Sequence, residues 1–402
     1  MLKYLNIIEY FRISRRVPFL LALVFWLLLI VGTVPFKLFG FNSFGWGWVI
    51  PVVFSLVYIV VNRSPIRFPV LLWLPWILVV LAGFLRPHIY SLQSTIQILT
   101  PIIIGIAASK ASKPYSWDLF VDFIERTFVI WLVLIPLVKL PQLLLGIIPQ
   151  VTGLATEGIT SLLFQSIFLA AFINTKQRKY ILFYALALLV PVIALTRGPI
   201  IASIALLILI VSPISISKRI LISFAALVIG YLIFVSPRFQ MKSFRKTDVS
   251  ITEVIGNPDI IHTTGRKQLW KMVSSKQENK LWGDGSNAAV SKAISLGYKR
   301  NYLLHNDWLR IKYDYGVMGL IVFAATIIGQ IIITAKRLKY ESEIIRFLGL
   351  GAVSAFIPFM AVMYTDNILI YAHSFGSLQF ALLGLVYSSN LIIPDEGRDS
   401  AY

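Results

Sequence analysis

What most limits the fold of this chain is the recurrence of apolar runs too long for the core of a soluble domain. Segments such as LLWLPWILVVLAGF at 71–84 and GLIVFAATIIGQIIITA at 319–335 return at short intervals from one end to the other. A helix of about 20 apolar residues matches the hydrocarbon thickness of a bilayer. Runs near 17–39, 46–62, 68–85, 93–109, 118–138, 158–173, 180–195, 199–213, 219–236, 315–334, 345–364 and 368–388 therefore predict an all-α polytopic membrane protein of about twelve spans. A hydrophobic share of 57% and a mean hydropathy of +0.79 exclude an ordinary soluble domain. The first run is long for a signal peptide and lacks a well-placed small-residue cleavage site, so it is expected to be retained.

The loops set the expected orientation. Lys3, Arg12, Arg15 and Arg16, then Arg63, Arg67, Lys110 and Lys113, fall on the side of the N-terminus. Lys176, Arg178, Lys179, Lys218, Arg219, Lys336, Arg337 and Lys339 follow on the same side, whereas the opposite short loops offer little beyond Lys37, Arg86, Lys139 and Arg197. The positive-inside rule then puts both termini in the cytoplasm, with the tail PDEGRDSAY loose and solvated. It also divides the chain into a bundle of about nine spans at 1–236, an external loop domain with short helices at 237–314, and about three further spans at 315–402. The net charge of +19 is read as largely topogenic rather than as a nucleic-acid surface. No Cys is present, which removes disulfides, thiolate chemistry and Cys-ligated metals. Four His without HExxH-type spacing make a His-built metal site an unsuitable reading.

The external insert is the only polar stretch long enough to fold as more than a connector, and it is rich in bases such as Lys242, Arg266, Lys299 and Arg300. At its edges and inside it, a few residues ask for a reason. Arg197 lies in LTRGPI between two apolar runs, where an arginine must pair, face water or snorkel. Gly198 permits close approach there, and Pro199 suits the first turn of the next helix. Arg266 follows Thr263 and Thr264, either of which could cap a short helix carrying Leu269, Trp270 and Met272; an amphipathic surface helix and a ligand role both fit. Gly283 and Gly285 in WGDGSN suggest a tight turn with exposed amides, and turn demand alone explains them. No Gly-Lys-Ser/Thr follows, so this is not a phosphate-cradling P-loop. His305 precedes Asn306 and Asp307, which can cap a helix starting near Trp308 that runs through Gly316 and Gly319 into the membrane. A structural histidine is the ordinary explanation, and it is the one adopted for His88, His262 and His373. Asp366 and Asn367, in the external turn before the last span, are weaker candidates, and Asp122, Glu125 and Arg126 fit interfacial pairs at a cytoplasmic helix entry.

Together, His305-Asn306-x-x-Leu309 and Gly316-x-x-Gly319-Leu320 resemble the signature of the O-antigen ligase and O-antigen polymerase superfamily, bacterial glycosyltransferases of the inner membrane. Thr264-Gly265-Arg266 with Trp270 and the Gly283-x-Gly285 turn look like that family's periplasmic-loop motif, and Thr196-Arg197-Gly198 like its earlier arginine turn. The hydropathy layout covers nearly the whole chain; the motifs cover about 195–320. The resemblance implies a metal-independent, cofactor-free transfer of glycan from undecaprenyl diphosphate at the periplasmic face. Arg197 and Arg266 would hold the lipid diphosphate, His305 would activate the acceptor hydroxyl, and Asn306, Gly283 and Gly285 would support them. The implied partners are a lipid-linked oligosaccharide, an acceptor glycan, membrane lipids and a chain-length regulator. The motifs do not separate a polymerase, which extends a lipid-linked repeat, from a ligase, which loads lipid A-core. A flippase of lipid-linked oligosaccharide is the reading of another class, and it should instead place charges or broken helices near mid-membrane.

Overall fold

Each long apolar run folds as a helix because only a helix pairs all of its main-chain groups without water. The computed structural model describes residues 2–30, 33, 37–38, 41–42, 46–111, 117–144, 155–212, 214–263, 265–298, 303–369 and 375–388. Lys113, Thr264, Lys299, Arg300, His373 and the C-terminal tail lie outside the described residues. A short turn at Leu2–Leu5 and α1 (Ile7–Ser14) lead to α2 (Phe19–Ile30), and a two-residue antiparallel ribbon pairs Lys37–Leu38 with Phe41–Asn42. The bundle continues with α3 (Val49–Val61), α4 (Val70–Phe84), α5 (Ser91–Ser109), α6 (Trp117–Leu144), α7 (Ala155–Thr175), α8 (Arg178–Ile193), α9 (Arg197–Leu209) and α10 (Ile216–Val235). The insert forms α11 (Pro237–Phe244), α12 (Ile251–Gly256), α13 (Arg266–Ser274) and α14 (Ala288–Ser295). Then come α15 (Asp307–Arg337), α16 (Glu343–Ser354), α17 (Phe356–Met363) and α18 (Gly376–Ser388).

The chain is an all-α polytopic membrane protein. Among the described residues, Ser91–Ser109, Thr156–Thr175, Ile216–Val235, Asp307–Tyr340 and Glu343–Met363 are long and apolar enough to cross a bilayer. Val49–Val61, Val70–Phe84, Arg197–Leu209 and Gly376–Ser388 are shorter apolar helices. Twelve spans remain the expectation of the hydropathy pattern. Among the described residues, the run at 17–39 is helical at Phe19–Ile30 and contributes Lys37–Leu38 to the ribbon. The run at 345–364 stays continuous through Ala355, whose N–H donates to the Gly351 carbonyl at 3.0 Å and whose carbonyl accepts from the Phe359 N–H at 3.1 Å.

In lipid, burying apolar surface gives helices little reason to associate, so close van der Waals packing carries the assembly. The α5–α18 seam meets this need with small residues. A Cβ on Gly384 would stand 2.2 Å from the Gly105 carbonyl oxygen and 2.7 Å from the Ala108 side chain. Between α6, α7 and α8 the contacts are aromatic: Phe128 meets Phe168 at 4.8 Å and Phe164 at 5.0 Å between ring centroids. Such pairs add about 0.5–1.5 kcal/mol each beyond area. Asp122, Glu125 and Arg126 form the expected pairs. Arg126 bonds Asp122 at 2.9 Å and Glu9 of α1 at 3.3 Å, while Glu125 accepts from Lys179 at 2.7 Å and from the Tyr4 hydroxyl at 3.0 Å. α9 runs beside α17 and α15 beside α4, which brings the Arg197 turn, the insert and the loop after α17 together at one end of the bundle.

Candidate active site

The loop after α17, Tyr364 to Leu369, is where the separate sequence motifs meet. α9 reaches it first. Arg197 opens that helix, and a Cβ on Gly198 would stand 2.1 Å from the Thr365 hydroxyl oxygen, so this turn needs glycine for its close approach. Pro199 sits in the first helical turn, where its missing N–H costs nothing. Arg197 Nη1 donates to the His262 carbonyl oxygen at 2.9 Å.

α13 reaches the same loop from the insert. Arg266, its first residue, donates from Nη1 to the Thr365 carbonyl oxygen at 2.9 Å. Gly265 occupies the cap position with φ of +83°, and Thr263 Oγ1 accepts from the Lys267 N–H at 3.4 Å. The apolar face of α13 packs inward, within the insert. Leu269 and Val273 are buried against Ala288, Ala289, Leu304 and Tyr313, a small core belonging to the insert and the start of α15. Trp270 links the two layers, donating from Nε1 to the Leu304 carbonyl at 2.5 Å and meeting the Tyr364 ring edge-on at 6.0 Å. Arg266 lies within electrostatic reach of Arg197.

α15 supplies the third contact. Asn306 caps it by accepting the Leu309 N–H at 2.9 Å, as its sequence position predicts. Asp307 does not act as a cap. It is the first helical residue, buried, and its Oδ2 accepts the Leu369 N–H at 2.8 Å, tying the helix start to the loop. His305 takes a left-handed φ of +49°, a conformation that costs a non-glycine residue energy and turns its ring toward the loop. Its Nδ1 lies 2.9 Å from Asp366 Oδ1, which also accepts the Asn367 N–H at 2.8 Å. The side chains keep 29% and 20% of their surface exposed, so a substrate can reach the pair. A neutral imidazole that gives Nδ1–H to the carboxylate carries its lone pair on Nε2. Asp366 was visible in the sequence only as an acid in an external turn; the contact that gives it a role spans the chain from 305 to 366.

Gly283 and Gly285 serve this arrangement by holding α15. That helix is broken at Gly316, whose φ of +72° and ψ of −174° are not helical. The N–H groups of Val317 and Met318, orphaned by the break, donate to the carbonyls of Lys280 and Leu281 at 3.0 and 3.1 Å. On the other side, the Tyr313 and Asp314 carbonyls accept from the N–H groups of Asp284 and Gly285, each at 3.0 Å. The expected exposed amides are thus corrected: the turn spends them on the broken helix. Contact is so close that a Cβ on Gly283 would stand 2.3 Å from the Asp314 oxygen, and one on Gly316 2.1 Å from the Leu281 oxygen. Buried Asp314 also accepts from the Asn287 and Ala289 N–H groups at the start of α14. Buried Arg310 donates to Ser94 Oγ on α5 and to Asn287 Oδ1. His88 Nε2 lies 3.1 Å from the Asp284 carbonyl oxygen.

Two guanidinium groups and a partly exposed imidazole–carboxylate pair near one loop can hold an anion and remove a proton beside it. Among the described residues no group of three His, Asp or Glu side chains converges as a metal site. Residues 182–324 match the family model described as O-antigen ligase, a stretch that contains Arg197, Arg266 and His305 and ends before Asp366. No curated protein matches the chain.

Proposed function

We propose, for a chain that belongs to the O-antigen ligase and polymerase superfamily, that it is a surface-polysaccharide polymerase of the bacterial inner membrane. It moves glycan from undecaprenyl diphosphate to the acceptor sugar of another lipid-linked repeat at the periplasmic face. The observation that carries this reading is that Arg266, His305 and the Gly198 neighbour of Arg197 meet on the 364–369 loop, with Arg197 within electrostatic reach of Arg266. A lipid diphosphate asks for fixed cations, and guanidinium forks match phosphate oxygens in pairs. Arg197 and Arg266 bind it and stabilise the charge that gathers on the leaving diphosphate. His305 Nε2 takes the proton of the attacking hydroxyl, the acceptor oxygen bonds to C1 of the donor sugar, and the C1–O bond breaks with its electron pair leaving on the diphosphate. Direct displacement inverts the anomeric centre. Asp366 holds the ring, and Asn306 and Asp307 fix the helix start on which it stands. No metal or cofactor enters this route. Domains at 1–236, 237–314 and 315–402, with cytoplasmic termini and the insert outside, are the topology it requires.

The ligase is the second reading, favoured by the description of the matched family, O-antigen ligase. It uses the same donor and the same groups with lipid A-core as acceptor. Purified protein in proteoliposomes, given lipid-linked repeat units alone, should lengthen them into a ladder. No ladder until lipid A-core is added would replace the polymerase by the ligase, and release of undecaprenyl diphosphate in neither case would remove both. A chain-length regulator, added to the first reaction, should narrow the ladder without being needed for it.

A further inference from the structure

We infer that Lys242 of α11 is a third cation of the donor diphosphate site, an assignment that rests on the transferase reading above. Its Nζ donates to the Leu195 carbonyl at 2.6 Å and to the Ala194 carbonyl at 3.3 Å. Leu195 itself has a left-handed φ of +49°, two residues before Arg197, so Lys242 grips the turn from which that arginine projects. A second tie brings the two together: the Ser243 carbonyl accepts the His262 N–H at 2.7 Å, and the His262 carbonyl in turn accepts from Arg197.

A lysine at the end of α8 is also a helix C-cap, since it meets carbonyls that have no partner in the helix. Capping alone leaves the charge unanswered. Among the described residues, Arg197 and Lys242 donate only to main-chain carbonyls, which orient a cation without neutralising it. The neighbours that act on them are cations as well: Arg266 on Arg197, and Arg197 on Lys242. Burial, and then the Arg197 guanidinium, push the Lys242 ammonium below the ordinary lysine range. Half-buried cations held side by side call for an anion of more than one charge. A diphosphate diester carries one negative charge on each phosphate and gains another when its glycan departs, so a third cation matches the leaving group better than two.

The test uses full-length protein in nanodiscs and undecaprenyl diphosphate as the probe, with thermal unfolding measured on every variant. Lys242→Gln keeps a donor for the two carbonyls and loses the charge. It should bind the probe on the order of 10–100-fold more weakly, while Lys242→Arg stays within a few-fold of wild type. Equal binding by wild type and Lys242→Gln, with Arg197→Ala weak, would overturn the assignment and leave the transferase reading standing. Absence of binding by wild type would overturn that reading and this one with it. An independent measurement needs no variant: amine acylation of the wild-type protein should be slowed at Lys242, and not at exposed Lys276, when the probe is bound. Equal acylation at Lys242 with and without the probe would contradict the assignment.

Discussion

An imidazole held by a carboxylate at one nitrogen can accept a proton only at the other, and this makes His305 and Asp366 unequal partners. His305→Ala should lower turnover by about 10²–10⁴ while the affinity for lipid-linked donor, measured separately, holds. Asp366→Asn can turn its amide N–H toward Nδ1 and force the proton onto Nε2, the wrong tautomer for a base. It should cost turnover by a smaller factor than His305→Ala, again with donor binding intact; a loss of donor binding alone would show Asp366 to be a ligand instead. Arg197→Lys and Arg266→Lys keep the charge and lose the fork, so both should raise the donor KM in a reconstituted assay and neither should restore full polymer. The arginines and the histidine were legible as residues because each stands where its type is out of place: a cation between apolar runs, a histidine just ahead of a capping pair. Asp366 and Lys242 were not, since their roles depend on partners far away in sequence or on a carbonyl that only the folded turn presents.

A helix that breaks where it leaves the site must have its free main-chain groups met by something rigid, and the 280–285 turn does this for α15. The break depends on Gly316, whose positive φ and contact with the Leu281 oxygen admit no side chain. Gly316→Ala should destabilise the protein by about 1–3 kcal/mol and lower its thermal midpoint in nanodiscs. Gly256→Ala, in open space without a positive φ, should stay within about 0.5 kcal/mol of wild type. Equal midpoints for the two variants would show that the break is not held by this glycine. Glycines at 283, 285 and 316 could be read from the sequence as punctuation, but not their purpose. An amide offered to a ligand and an amide bonded across 29 residues to a helix, as Gly285 is to Asp314 of α15, have the same sequence.

At the scale of the molecule, we propose from the lysine and arginine bias of the loops that the insert faces outward and both termini face the cytoplasm. Single cysteines replacing Lys276 and Lys339 should therefore differ, a membrane-impermeant maleimide reaching only the first in intact spheroplasts; labelling at 339 alone would invert the topology. The all-α membrane architecture was legible because period and run length are local properties. Its interruption was less so: the break at Gly316 depends on neighbours the run cannot show. The convergence of the Arg197–Gly198 turn, Arg266 and His305 on one loop was beyond the sequence for the same reason, because α9 lies beside α17 only in the packed bundle. The most direct test of that convergence is glycan transfer by purified protein in proteoliposomes, with lipid-linked repeat units and a chelator, reading undecaprenyl diphosphate released against glycan lengthened. Wild type should give the two in equal amounts, and Arg197→Ala, Arg266→Ala and His305→Ala should each give neither at the wild-type rate. Wild-type rates from the His305→Ala protein, or a wild-type reaction that stops in chelator, would contradict the account.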